Sequence, residues 1–194
     1  MIIIDDFIKD QRLLTKIALD AKFWTEGYHW YGGWWNEPIQ SVRQELIAYI
    51  WRDNCPIQEG FEIQGFEHWV GSYQPGDGKV TENFGFKHHL KHHFDKDEDH
   101  WQQTGELIRP KIGTVFYPDP QIDQSVGGYL QLWDTYGADA TDVPYELIRP
   151  KFNRLIIFDA GKLHAVQEVT SGIRNAIAIN LWEKAPIAAD KMLK

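Results

Sequence analysis

From residue 60 onward, the chain is a series of short segments in which apolar residues alternate with polar ones and β-branched and aromatic residues are frequent. A period of two is typical of β-strands, whereas helices repeat every three to four residues. Turn-forming residues separate the segments, as in Asp159-Ala160-Gly161. The predicted strands lie near 61–73, 87–95, 111–117, 127–133, 145–149, 154–158, 162–169 and 173–182. About eight short, closely spaced strands predict a jelly roll or a barrel.

The N-terminal residues have a helical pattern instead. In 9–22, apolar residues recur every three and four positions, which predicts an amphipathic helix. A second helix is predicted after Pro38, with Ser41 as its N-cap. For the aromatic, glycine-rich stretch 28–35 we favour packing of the helices onto the barrel over a cover on a site or a surface that binds a partner. We therefore expect a mainly β (α+β) fold with N-terminal helices packed outside the strands.

A length of 194 residues fits one domain. We divide it into a helical N-terminal part, 1–59, a strand-rich core, 60–183, and a peripheral tail, 184–194.

Composition limits the classes of partner. The chain has 28 acidic and 20 basic residues and a net charge of −8, which argues against nucleic acid as the partner. Its one cysteine, Cys55, excludes an intramolecular disulfide and a thiolate metal cluster. We see neither a signal peptide nor a run of 18 apolar residues, so we expect a cytoplasmic protein without a membrane segment.

Four of the eight histidines lie between His88 and His93, and His93-Phe94-Asp95 is the one His-x-Asp of the chain. On a strand, residues two apart share a face and lie roughly 6–7 Å from each other. We therefore expect His89, Lys91, His93 and Asp95 to point the same way. One imidazole and one carboxylate supply two thirds of the facial triad that binds non-haem iron(II).

The third ligand must come from elsewhere in the chain. The histidines outside the cluster are His29, His68, His100 and His164. His164 is the best candidate, because it follows a predicted strand and a tight turn. Arg174 begins the next strand, where a buried guanidinium can pair with a carboxylate ligand.

In this order, the motifs resemble those of the iron(II)- and 2-oxoglutarate-dependent oxygenases, and most of all the prolyl 4-hydroxylase-like branch. The resemblance covers residues 67–182 and rests on an ordered set of segments: Tyr73-Gln74-Pro75-Gly76, His93-Phe94-Asp95, Thr114-Val115-Phe116-Tyr117, Gly127-Gly128-Tyr129-Leu130, Asn153-Arg154-Leu155-Ile156-Ile157-Phe158, His164 and Arg174. One departure is a longer gap between Tyr73 and His93, which predicts an inserted loop at 77–83.

The resemblance implies a double-stranded β-helix (jelly-roll) core and makes 60–183 the catalytic part. It implies that iron(II) is held by His93, Asp95 and His164, and that 2-oxoglutarate is bound by Arg174 with Tyr73 and Tyr117 as hydrogen-bond donors. It further implies O2 as oxidant, ascorbate as a reductant, and hydroxylation of a substrate with release of succinate and CO2.

The substrate stays open between a peptidyl proline and a small molecule such as a free amino acid. The alternative function is a non-catalytic binding module on the same scaffold, which predicts a broken triad. A cupin-type metal protein would need a His-x-His pair, which the chain lacks.

Overall fold

The computed structural model of the chain describes residues 1–58, 60, 62–77, 80–83, 86–136 and 144–192. The predicted boundary at 59, residue 61 of the first predicted strand, residues 78–79 of the predicted insertion and residues 193–194 of the tail lie outside these ranges.

Within the described residues the α-helices are α1 (Gln11–Leu19), α2 (Val42–Ala48) and α3 (Glu98–Thr104). The strands are β1 (Ile2–Ile4), β2 (His29–Tyr31), β3 (Gly65–Tyr73), β4 (Thr81–Asn83), β5 (Phe86–His93), β6 (Ile112–Phe116), β7 (Val126–Gly127), β8 (Leu130–Leu132), β9 (Glu146–Ile148), β10 (Leu155–Phe158), β11 (His164–Gln167), β12 (Val169–Ser171) and β13 (Arg174–Trp182).

Two antiparallel sheets form the body of the fold. The larger has the order β1-β10-β6-β13-β3-β2, and the smaller has the order β4-β5-β11-β8-β9. A short pair, β7 with β12, lies at their margin. Residues from both sheets line one narrow cavity, so the sheets face each other. This arrangement confirms the predicted mainly β, jelly-roll fold.

The main core lies on the outer face of the larger sheet. Leu13 and Ile17 of α1 and Leu46 of α2 are almost fully buried there against strand residues such as Ile177 and Ile179. Burial of a side chain of this size contributes roughly 1.5–3 kcal/mol. The apolar stripe that predicted the helix is therefore the surface that attaches it outside the sheet.

Both predicted helices are present, with shorter bounds. Asp20 ends α1 and accepts a hydrogen bond from the Lys22 amide, which starts a 3-10 turn at Ala21–Trp24. Ser41 caps α2 as expected, since its hydroxyl accepts from the Gln44 amide at 3.2 Å. A π-helical turn, Tyr49–Asp53, continues α2.

The N-terminal part is not purely helical. β1 pairs with β10 and β2 pairs with β3, so residues before 59 supply both edges of the larger sheet. Three-residue strands carry too little periodicity to be read from sequence. In the stretch 28–35, the rings of Trp34 and Trp35 lie 5.8 and 5.9 Å from that of Phe66, which is a packing role, whereas Tyr28 lines a groove at the surface.

The C-terminal residues are less peripheral than expected. A 3-10 turn, Ile187–Lys191, lies beside α3, where the Ile187 amide donates to the Asp97 carboxylate at 2.8 Å. This five-residue segment has no periodicity of its own, so its contact with α3 is visible only in the folded chain.

The helices of the described ranges are all too short or too polar to span a membrane.

Asn153 tests how the N-terminal segment is attached. It has a left-handed φ of 56° and is buried, and its side chain bonds the Ile8 amide at 2.9 Å and the Ile8 carbonyl at 3.0 Å. Asn153→Ala removes two hydrogen bonds and adds backbone strain, so we expect a loss of about 3 kcal/mol in urea unfolding. Asn153→Gly removes the same hydrogen bonds but tolerates the left-handed φ. Its free energy of unfolding should therefore fall by about 1 kcal/mol less than that of the alanine variant. An alanine variant within 0.5 kcal/mol of wild type, roughly the scatter of surface substitutions, would contradict this account.

Candidate metal centre and cosubstrate cavity

His93, Asp95 and His164 meet where the smaller sheet ends. β5 ends at His93, which lies directly opposite His164 at the start of β11. The Asp95 amide donates to the Ala160 carbonyl at 2.8 Å, which holds the Asp95 backbone against the turn between β10 and β11. Residues distant in sequence are thus brought together by one strand pair and one backbone hydrogen bond.

The three side chains have the geometry of a small metal site. His93 Nε2 lies 3.5 Å from Asp95 Oδ1, and His164 Nε2 lies 3.8 Å from Asp95 Oδ2. One ligand atom from each residue lies within 4.8 Å of the other two. Among the described residues this is the one group of three or more histidine, cysteine, aspartate or glutamate side chains with such spacing.

Backbone carbonyls orient both imidazoles. His93 Nδ1 lies 2.9 Å from the Lys91 carbonyl oxygen, and His164 Nδ1 lies 2.9 Å from that of Lys162. A carbonyl only accepts, so we assign the ring proton to Nδ1, and the lone pair of each Nε2 faces the Asp95 carboxylate. Burial, and then the neighbouring His93, lower the pKa of His164 to about 4. His164 is therefore neutral at pH 7, the form that binds a metal ion.

Strict alternation along β5 was a wrong expectation. Leu90 and His93 are three residues apart, yet both line the cavity between the sheets. The pairing of β5 with β11 contains two register shifts, and one of them falls between Leu90 and His93. The extra residue there reverses the direction of the side chains that follow it.

His89 stacks on Tyr73, with ring centroids 5.3 Å apart, and its Nδ1 accepts from the Val169 backbone amide at 2.9 Å.

The cavity runs from the three candidate ligands to Arg174. Arg174 is 3% exposed, and its Nε donates to the Gly128 carbonyl at 2.9 Å and its Nη2 to the Tyr117 hydroxyl at 3.1 Å. No carboxylate in the described part of the chain pairs with it. A buried guanidinium in this situation provides a site for an anionic group.

Thr114 supplies a second polar group without a partner. It is 1% exposed, its hydroxyl makes no hydrogen bond, and it lines the same cavity as Arg174. A buried hydroxyl left without a partner costs about 1–3 kcal/mol, which a ligand with acceptor oxygens would offset. The cavity therefore fits a small molecule with metal-binding oxygens at one end and a carboxylate at the other.

A sequence model of the 2OG-Fe(II) oxygenase superfamily matches residues 79–182, more than half of the chain. The chain belongs to this superfamily. The search of curated proteins returns no match.

Solved structures support the fold. A Pseudomonas putida prolyl-4-hydroxylase is similar with a TM-score of 0.61 and 15% identity, covering 95% of this chain and 92% of that chain. The viral collagen prolyl hydroxylase of Paramecium Bursaria Chlorella virus-1, in its 2OG complex, has a TM-score of 0.50 and 16% identity, covering 93% of each chain. The fold is thus that of these prolyl 4-hydroxylases. Membership of the superfamily makes the chain an iron(II)- and 2-oxoglutarate-dependent dioxygenase.

The donor set of the oxygenase fits its cofactors. Two imidazole nitrogens and one carboxylate are the 2-His-1-carboxylate triad that binds iron(II) and leaves positions open. Arg174 and Thr114 fit the carboxylate of 2-oxoglutarate, the second group that the superfamily uses. The ligand and anchor roles of individual residues remain predictions that the experiments below test.

The two predicted tyrosines are placed differently. Tyr73 lines the cavity, with the Arg174 guanidinium 5.7 Å from its ring centroid, and burial raises the pKa of its hydroxyl. A neutral phenol in that position can donate to a ligand. Tyr117 is fully buried, and its hydroxyl accepts from Arg174. Tyr117 therefore positions the guanidinium in this structure.

Sequence reasoning missed Asn180 and Glu67. The Asn180 amide donates to Asp95 Oδ2 at 2.9 Å and to Glu67 Oε2 at 3.5 Å, and the Trp182 indole donates to the same Glu67 oxygen at 3.2 Å. A signal for Asn180 was present, because it lies an even number of residues from Arg174 and thus on the same face of a strand. Glu67 had no comparable signal, since its contact depends on the pairing of β3 with β13.

A second, wider space lies outside the metal centre. This outer groove has a volume of about 720 Å³ and is lined partly by α3 residues and the C-terminal turn. Trp69, His93 and Asp95 line both the outer groove and the inner cavity. The candidate metal ligands therefore stand at the boundary between the two spaces.

Asn180→Ala tests whether the amide positions the carboxylate ligand. Its removal frees Asp95 Oδ2, so we expect the affinity for Mn(II), measured under nitrogen, to fall roughly 10- to 100-fold. Asn175→Ala is the matched control on the same strand, because its amide donates to Asp119 instead. Unchanged Mn(II) affinity in Asn180→Ala would exclude this positioning role.

Gly128→Ala tests the placement of Arg174. Gly128 has a φ of +69°, and a Cβ there would lie 2.9 Å from Arg174 Cδ. We expect the affinity for 2-oxoglutarate, measured by calorimetry on the Mn(II)-loaded protein, to fall about ten-fold or more. Gly76→Ala shares the left-handed φ, at +77°, but its Cβ meets no atom within 4 Å. If the two variants bind 2-oxoglutarate with equal affinity, contact of the new Cβ with Arg174 does not control binding of this cosubstrate.

Proposed function

We propose that the oxygenase couples oxidation of 2-oxoglutarate by O2, giving succinate and CO2, to hydroxylation of a second substrate. One observation carries the proposal. The three candidate ligand atoms lie within 4.8 Å of one another at one side of a cavity, and at the other lies an arginine that pairs with no carboxylate of the described residues. A dicarboxylic oxo acid matches this pair of sites in charge and polarity.

In this proposal each residue has a stated task. His93, Asp95 and His164 hold iron(II), which supplies the oxygen chemistry when bound, and ascorbate serves as its reductant. Arg174 pairs with the distal carboxylate of 2-oxoglutarate, and Thr114 donates its free hydroxyl. These groups orient the cosubstrate before the reaction begins.

The walls between the two ends keep water out. Leu90, Leu130, Phe158 and Val166 line the inner cavity with apolar surface. In a water-poor space the Arg174 charge interacts more strongly with a carboxylate. Ala176 and Ala178 lie on the inward face of β13, and their small side chains leave room for the cosubstrate.

The second substrate, which is to be hydroxylated, enters by the outer groove, which reaches His93 and Asp95 from outside. A peptidyl proline is one candidate, supported by the prolyl-4-hydroxylase of Pseudomonas putida with the same fold. A free amino acid or another small molecule is the other. The net charge of −8 argues against nucleic acid. A binding module without catalysis is disfavoured, because all three candidate ligands and Arg174 are in place.

Succinate production tests the proposal directly. We expect purified wild-type protein with iron(II), ascorbate, O2 and 2-oxoglutarate to release succinate slowly even without the second substrate. His164→Ala should fall to the level without protein, because a ligand is lost. His100→Ala is the matched control, since His100 lies in α3 and faces Glu106 at 3.1 Å.

If turnover requires the second substrate, no succinate forms without it, and a binding titration then tests the proposal. Wild type loaded with Mn(II) should bind 2-oxoglutarate under nitrogen, and His164→Ala should not. Failure of the loaded wild type to bind 2-oxoglutarate would refute the proposed function.

A further inference from the structure

The outer groove contains several carboxylates, but most already have partners. Glu98 pairs with Lys96 at 2.8 Å, and Asp99 pairs with Lys191 at 3.1 Å. Asp97 accepts from the His100 amide at 3.0 Å with one oxygen and from the Ile187 amide at 2.8 Å with the other. These acids hold α3 and the C-terminal turn in place, and each is already compensated by a lysine or by two backbone amides.

Glu67 is the exception. It lines the outer groove, and in the described part of the chain no lysine, arginine or histidine pairs with it. Trp182 and Asn180 both donate to Oε2, whereas none of the described residues donates a hydrogen bond to Oε1. The carboxylate is therefore held by one oxygen and keeps acceptor capacity on the other.

The location of Glu67 connects it to the reaction. Its Oε2 and the Asp95 Oδ2 both lie within 3.5 Å of the same Asn180 nitrogen. A substrate group bound to Glu67 would thus lie beside the metal ligands, where the reacting carbon of that substrate must come.

Two aromatic rings stand next to this carboxylate. Tyr28 and Trp69 both line the outer groove, with ring centroids 5.1 Å apart and planes tilted by 43°. Trp69 lies two residues from Glu67 on β3, so their side chains share a face. Aromatic faces attract cations, and a carboxylate beside them adds a direct ion pair.

We propose that the substrate carries a cationic nitrogen, an ammonium or a guanidinium, and that Glu67 is the residue that selects it, with the rings of Tyr28 and Trp69 beside the cation. This inference rests on the proposed function and narrows its substrate class. A lysine- or arginine-like side chain, free or in a peptide, fits these groups, whereas a prolyl ring carries no charge to satisfy Glu67. The net charge of −8 also favours the approach of a cation.

Matched probes test the charge requirement. The full chain, loaded with Mn(II) and 2-oxoglutarate under nitrogen, is titrated with N-acetyl-lysine methylamide against its norleucine analogue. N-acetyl-arginine methylamide is compared with the citrulline analogue, and N-acetyl-proline methylamide serves as the neutral prolyl probe. We expect at least one cationic probe to bind about ten-fold more tightly than its neutral partner and than the prolyl probe.

Variants assign the preference to one carboxylate. Glu67→Gln keeps an acceptor for Trp182 but removes the charge, so the preference should fall below about two-fold. Glu98→Gln removes a charge from the same groove that Lys96 already neutralises, so the preference should persist. Circular dichroism and the unfolding midpoint establish that each variant is folded. The comparison of cationic with neutral probes on wild type does not depend on the variants.

Each of the remaining outcomes refutes the cationic substrate class, the role of Glu67 or the proposed function. If wild type binds 2-oxoglutarate but no cationic probe binds, or the neutral probes bind as tightly, the cationic substrate class is refuted while the proposed function stands. If the preference survives Glu67→Gln, or falls equally in Glu98→Gln, Glu67 does not select the substrate. If metal-loaded wild type does not bind 2-oxoglutarate, the proposed function itself fails.

Discussion

The pairing of β3 with β13 is the constraint on which the site depends. Nine consecutive residues of each strand pair without a register shift, from Arg174 opposite Tyr73 to Trp182 opposite Gly65. Because alternate side chains share a face, the inward side of β13 carries Arg174, two alanines and Asn180, whose amide donates to the candidate metal ligand Asp95. A one-residue slip would turn all of them away from the cavity. The long ladder therefore sets the distance between the two ends of the cosubstrate cavity.

Irregular backbone places the remaining groups. One of the two register shifts in the pairing of β5 with β11 falls between Leu90 and His93 and brings both to the same cavity, although they are three residues apart. At Gly127, with φ of +82°, a Cβ would lie 2.1 Å from the Glu168 carbonyl oxygen. Gly128 follows with its carbonyl accepting from Arg174. Bulges and glycine turns of this kind re-aim side chains and allow close approach of backbone, which regular strands cannot do.

Several buried polar groups of the site have few partners within the protein. Among the residues that the structure describes, no carboxylate pairs with the buried Arg174, and none forms a hydrogen bond with the Thr114 hydroxyl. Burial, and then the nearby Asp95 charge, raise the pKa of Glu67 to about 7, and a cation beside the carboxylate lowers this pKa and keeps the group ionised. Buried polar groups with few partners lower the stability of the protein, because their desolvation is not compensated. In the proposed function, metal, cosubstrate and substrate supply partners to these groups, so binding would stabilise the fold.

Local patterns in the sequence determined much of the architecture. Period-two segments marked strands such as β6, β10 and β13 within one or two residues, because strand facing depends only on neighbouring positions. The His-x-Asp spacing, followed by His164 and Arg174 in order, identified the four groups that the structure brings to one cavity.

Tertiary structure alone decided the rest. The three-residue edge strands β1 and β2 carry no periodicity, and the shifts in β5 depend on its pairing with β11. The contact between Glu67 and Asn180 joins residues 113 positions apart. Such contacts follow from the register between distant strands, which is set by the packing of the whole core and leaves no trace in the spacing of either segment.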